Sequence, residues 1–152
     1  MRTLLLSAFA AVVLAAAAPA EAQPRRNAAP QGTLQAGDDV ATLDIRAGGA
    51  DRNAVPGNGC SGFINNGQPS ASVRGVAGEP LAIYAVSGTD TTLLVSDPSG
   101  RWHCSDDANG SNPAVTFARA AEGEYKVWVG TFSPQAAGAQ ARLSAVRGQP
   151  RW

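Results

Sequence analysis

The stretch RWHCSDDANGSNP, from Arg101 to Pro113, gathers most of the side chains able to do chemistry. It holds the single histidine, His103, one of the two cysteines, Cys104, and the adjacent carboxylates Asp106 and Asp107. Serine-type catalysis needs a nucleophile, a histidine base and an acid that orients the base. Ser61 and Ser105 could supply the first and Asp106 or Asp107 the last. No G-x-S-x-G elbow accompanies them, because GCSG at Gly59–Gly62 has the wrong spacing. On a strand, alternation puts His103 on the face opposite Trp102 and Cys104. If Cys104 faces the core, His103 faces solvent as an ordinary surface histidine. The same alternation separates it from Cys104 as a thiol nucleophile, and no catalytic residue is assigned.

Metal binding is the second chemistry. Asp107, Asn109 and Ser111 offer oxygens at alternate positions, with Asp106 adjacent. Calcium takes six to eight oxygens, carboxylates among them, from a loop able to curl around it. An EF-hand is excluded, since Asn112 stands where that loop needs glycine and Ala118 where it needs the closing glutamate. A calcium site here would be completed from another loop, by Asp90 or Asp97. The same Asp and Asn residues also build Asx-turns and caps without any ion, so both readings stand. One histidine and two committed cysteines do not suit zinc or copper.

The cysteines are read through the compartment. MRTLLLSAFAAVVLAAAAPAEAQ has a basic start, an apolar run too short to span a bilayer, and small residues at Ala20 and Ala22. This pattern predicts a signal peptide over residues 1–22, cleaved near Ala22, and a periplasmic or secreted chain. In an oxidising compartment Cys60 and Cys104 are expected to pair with each other. The link closes a loop of about 45 residues, worth about 4 kcal/mol in the chain-entropy account.

Twelve basic and 12 acidic residues cancel to a net charge of zero. Nucleic acid and anionic membrane surfaces need clustered positive charge, so neither is expected as the main partner. About 130 residues after the leader suffice for one domain with one core. Residues 23–38 read as a flexible lead-in, 39–147 as the folded domain, and 148–152 as a tail that is polar apart from Trp152.

Within the domain the rhythm is all-β. ATLDIRA, SGFI, SASVRG, PLAIYAVS, TTLLVSD, RWHCS, AVTFA, EYKVWVGTF and AQARLSAVR read as strands, separated by Gly, Pro, Asn and Asp. DPSG at Asp97–Gly100 suits a turn with Pro second, and Gly123 suits another. About eight or nine short strands and one disulfide predict an antiparallel, jelly-roll-like β-sandwich. A membrane barrel shares the terminal aromatic, Trp152, but needs longer strands and two aromatic girdles. In EYKVWVGTF, Tyr125, Val127 and Val129 share one face and Lys126 and Trp128 the other. Trp128 therefore stands outside the aliphatic set and is the candidate ligand contact. Trp102, Tyr84, Tyr125 and Phe132 are assigned mainly to the core.

The order of motifs from Asp90 to Phe132 carries a resemblance. A strand ends in D-P-x-G, then come an aromatic-bearing strand, an acidic turn, NPAV.F, a glycine turn and Y.VWVGT, with GCSGFI upstream. This resembles the pre-peptidase C-terminal β-sandwich modules of secreted bacterial proteins, and in particular short exported stand-alone forms sometimes labelled serine peptidases. The resemblance spans roughly Thr33 to Val146. It implies an accessory or binding role, calcium-assisted in some relatives, toward an unknown protein, peptide or glycan, with a small secreted hydrolase or a purely structural envelope protein as alternatives.

Overall fold

A computed structural model of the chain describes residues 23–55 and 60–152. The expected leader and Gly59, next to Cys60, lie outside the described residues. The strands, in chain order, are β1 (Thr33–Gln35), β2 (Ala41–Ala47), β3 (Asp51–Arg52), β4 (Phe63–Ile64), β5 (Ala71–Gly75), β6 (Leu81–Ser87), β7 (Thr91–Ser96), β8 (Trp102–Ser105), β9 (Ala114–Phe117), β10 (Gly123–Thr131) and β11 (Ala139–Arg147). A 3-10 turn at Pro134–Ala136 precedes β11.

They form two sheets. In the larger, β10 is central: β5 and then β4 run along one edge, and β7 followed by β8 along the other. The smaller has the order β2-β11-β6-β9, every pair antiparallel. Alternation decides which residues enter the space between the sheets. Val73, Leu93, Val95, Tyr125, Val127 and Val129 from the larger sheet meet Ile45, Leu81, Ile83, Val115, Leu143 and Ala145 from the smaller. The Tyr125 hydroxyl donates to the carbonyl of Ala121 and accepts from its N–H, which ties the strand to the turn before it.

The nine expected strands are all present, and two more join them. β1 pairs in parallel with β5, and β3 pairs with β4. Both are too short and polar to show a period of two, so they are strands by virtue of their partners alone. β1 lies inside the segment expected as a flexible lead-in. There Leu34 is buried in the main core, and Arg25 N–H donates to Asn66 O. The sandwich is thus antiparallel except for β1–β5.

A second apolar cluster covers the outer face of the larger sheet. Trp128, Leu94, Ile64 and Val55 pack there with the disulfide cysteines and Trp102. Gly130 permits this close covering, because a Cβ at that position would collide with Thr92 and Ile64.

Candidate functional site

Cys60 and Cys104 are bonded, with Cα atoms 5.4 Å apart across 44 residues of sequence. β8 carries Cys104 and Trp102 on the outer face of the larger sheet, so the disulfide pins residues 60–64 onto that face and not into the central core. This reverses the expected direction of His103. Opposite Val95 in register, its ring turns to the inter-sheet side, edge-on to Phe117 at 4.9 Å.

There His103 meets Asp97. Nε2 lies 3.0 Å from Asp97 Oδ2, and because a carboxylate only accepts, the ring presents its N–H. Asp97 closes the turn between β7 and β8, where Gly100 N–H donates to its carbonyl at 2.8 Å. Its Oδ1 accepts from Ser99 N–H, the Ser99 hydroxyl and Arg101 N–H, and its Oδ2 accepts from Arg101 Nε and His103. Burial alone would raise the Asp97 pKa, but the bonds from Ser99, His103 and Arg101 outweigh it and hold the carboxyl well below the usual range. Ser99 binds the aspartate and not the imidazole. Among the described residues no serine hydroxyl is hydrogen-bonded to His103, so a serine–histidine relay is not assembled.

The expected metal set is divided. Asp90 and Asp97 flank β7 at opposite ends, about 23 Å apart at strand rise. Asp97 therefore cannot complete a site with Asp106 and Asp107, and its oxygens are already saturated. Asp90 does feel that loop: desolvation, then the charges of Asp107 and Asp106, raise its pKa. Asp106 accepts from the Ser61 hydroxyl at 2.7 Å. Asn109 and Ser111 belong to a tight turn, closed by mutual backbone bonds between Asn109 and Asn112 and by Gly110 at φ +57°. Ser111 O accepts from Thr91 N–H, and the Asn112 side chain accepts from Ser87 N–H. Among the described residues no three His, Cys, Asp or Glu side chains form a group able to hold a metal. The turn is an Asx-rich scaffold with an acidic edge.

Trp128 is only 1% exposed, which removes it as a ligand contact. It faces outward from β10 as alternation requires, but residues 60–64 and Trp102, at a 5.4 Å ring separation, cover it. Arg26 in turn lies 4.6 Å over Trp102 and donates to Gly100 O. The Trp128 indole N–H finds no acceptor among the described residues. Phe132, expected mainly in the core, is exposed just past the end of β10.

The sequence reading missed the outer face of the smaller sheet. A trough of about 610 Å³ crosses β2, β11 and β6. Strand register sets two rows across it: Thr42, Ser144 and Tyr84, and beside them Asp44, Arg142 and Val86. Arg142 Nε donates to Asp44 Oδ1 at 3.0 Å, with both side chains more than half exposed. Val86 is 40% exposed. Tyr84 is buried in the floor, its hydroxyl donating to Arg151 O at 2.9 Å. Trp152 stands edge-on to it at 5.1 Å and is 49% exposed. The tail thus docks on the sheet and forms one wall. Alternation in ATLDIRA and AQARLSAVR is the signal that could have marked Asp44 and Arg142 as outward-facing. That they sit opposite one another, beside Trp152, follows only from the strand order.

No family model matches this sequence, and no curated protein does. Among solved structures the chain is similar to the pre-peptidase C-terminal domain of collagenase from Bacillus anthracis, at 16% identity and a TM-score of 0.48, over 76% of this chain and 96% of that one. It is also similar to PliG, a periplasmic inhibitor of g-type lysozyme from Aeromonas hydrophila, at 12% identity and a TM-score of 0.45, over 80% of this chain and 100% of that one.

Proposed function

We propose that this chain is an exported, non-catalytic binding or accessory module that presents the outer face of its smaller sheet to a protein, peptide or glycan ligand. The observation that carries this reading is the open trough across β2, β11 and β6, with an aromatic wall, an exposed apolar side chain and an exposed ion pair in one concavity. Ligand sites combine apolar lining with a few placed polar groups in this way. Export rests on the leader pattern and agrees with the paired cysteines. Calcium belongs to the reading only as an ion that would have to draw together Asp90, Asp106 and Asp107 with Asn109 and Ser111, which are not gathered into a metal group among the described residues; burial, then the charges of Asp107 and Asp106, raise the Asp90 carboxyl.

The test is binding of peptide and glycan panels to the folded chain and to Val86→Arg, a surface change that fills the trough without touching the core. Any ligand that binds is expected to lose at least tenfold in affinity to the variant, while the thermal midpoint moves by less than about 2 °C. A ligand held equally by both proteins would place the binding face elsewhere.

A further inference from the structure

We infer that the trough is built for a neutral, extended oligosaccharide, an inference that rests on the binding reading above and assigns its ligand class. Three observations favour a sugar. First, β2, β11 and β6 are backbone-paired with one another across the trough floor. A ligand lying across these strands therefore meets side chains, and strand addition, which uses main-chain hydrogen bonds, is left to the outer edge of β2, where the sheet ends. Second, the central charged groups neutralise each other: the Arg142 guanidinium bonds Asp44. Paired in this way they attract an ionic ligand less than a free carboxylate or guanidinium would, and Arg151, which also lines the trough, is the group an anion would meet. Adjacent hydroxyls of a sugar can instead donate to the free carboxylate oxygen of Asp44 and accept from the remaining N–H groups of Arg142, leaving the pair intact.

Third, the trough has an upright aromatic wall beside its aliphatic side chains. Trp152 stands on Tyr84 at an interplanar angle of 67°, half exposed, and offers indole surface to the C–H face of a pyranose ring. Neighbouring strands are spaced by about 4.8 Å, close to the length of one pyranose residue. A chain lying across the strands would thus set successive rings over β2, β11 and β6.

The decisive experiment is an NMR titration of the isotope-labelled chain with cellotetraose and, separately, with a neutral octapeptide. Saturable shifts caused by the sugar at the Gln140 and Arg142 amides and the Trp152 indole are expected. Trp152→Ala should weaken binding by about tenfold, a 1.4 kcal/mol effect, and Trp152→Phe should restore most of it. Because Trp152 lies in the tail, a midpoint unchanged in either variant separates lost binding from lost folding. Sugar shifts outside the trough, or shifts indifferent to Trp152→Ala, overturn the inference. If only the peptide moves the trough resonances, the binding face stands and the sugar assignment falls. Silence from both ligands overturns the sugar assignment and counts against the face.

Discussion

Asp97 shows how one side chain can look like chemistry and work as architecture. Its neighbours Ser99 and His103 would suit a relay, yet both converge on its carboxylate, which organises the turn joining β7 to β8. Hydrogen bonds to a charged, buried acceptor are worth about 1.5–3 kcal/mol. Asp97→Asn, which turns an acceptor oxygen into a donor facing His103 and Arg101, is expected to destabilise the fold by about 2 kcal/mol, measured by denaturant unfolding. Because the folded pKa is depressed from 3.8, this stability is fully present above the unfolded value and is lost as pH falls below it. The wild-type midpoint should decline progressively below about pH 4, and the Asp97→Asn protein should show a flatter acid limb. An acid limb unchanged by the substitution would assign the acid sensitivity to other carboxylates. His103 was legible as the only histidine, but its direction was not, since alternation needs to be told which face of the sheet holds the disulfide.

At the level of elements, two loops carry what residue types alone leave open. The Asx-rich turn after β8 is closed by its own backbone bonds, so calcium, if bound, adds to an existing structure. With calcium at 100 times its dissociation constant, stability rises by about 2.7 kcal/mol. The expected result is a thermal midpoint several degrees higher in millimolar calcium than in EGTA, with the difference abolished by Asp107→Ala. Equal midpoints would leave the turn ion-free. The other loop is the cap that residues 60–64 form together with Val55. Since it roofs Trp128 and Leu94, replacing both cysteines should cost about 4 kcal/mol through loop entropy. It should also shift tryptophan emission to the red as Trp128 meets water. Loss of stability without that shift would mean that apolar packing alone holds the cap.

For the molecule as a whole, the two ends matter more than their composition suggests. Residues 23–38 contain little to bury, yet Leu34 enters the core and Arg26 lies over Trp102. Deleting residues 23–36 is expected to destabilise the sandwich by about 2–3 kcal/mol, the worth of burying one leucine side chain. A truncated chain with an unchanged midpoint would show the segment to be dispensable. At the other end the tail makes a wall of the trough, which a reading of RGQPRW as a short tail, polar apart from Trp152, could not anticipate.

What the amino-acid sequence determined by itself was local or covalent: the strands β2 and β4 to β11, the turns at Asp97–Gly100 and Gly123, the Cys60–Cys104 pair, and the all-β sandwich these imply. Each depends on neighbours in sequence or on two cysteines with no other partner. The tertiary structure alone decided everything that depends on which strands lie side by side. That includes the aperiodic strands β1 and β3, the burial of Trp128 beneath residues 60–64, the separation of Asp90 from Asp97, and the meeting of Asp44, Arg142, Tyr84 and Trp152. Alternation says that a side chain leaves one face of a strand, and only the packed sheets say whether that face meets a core, a loop or water.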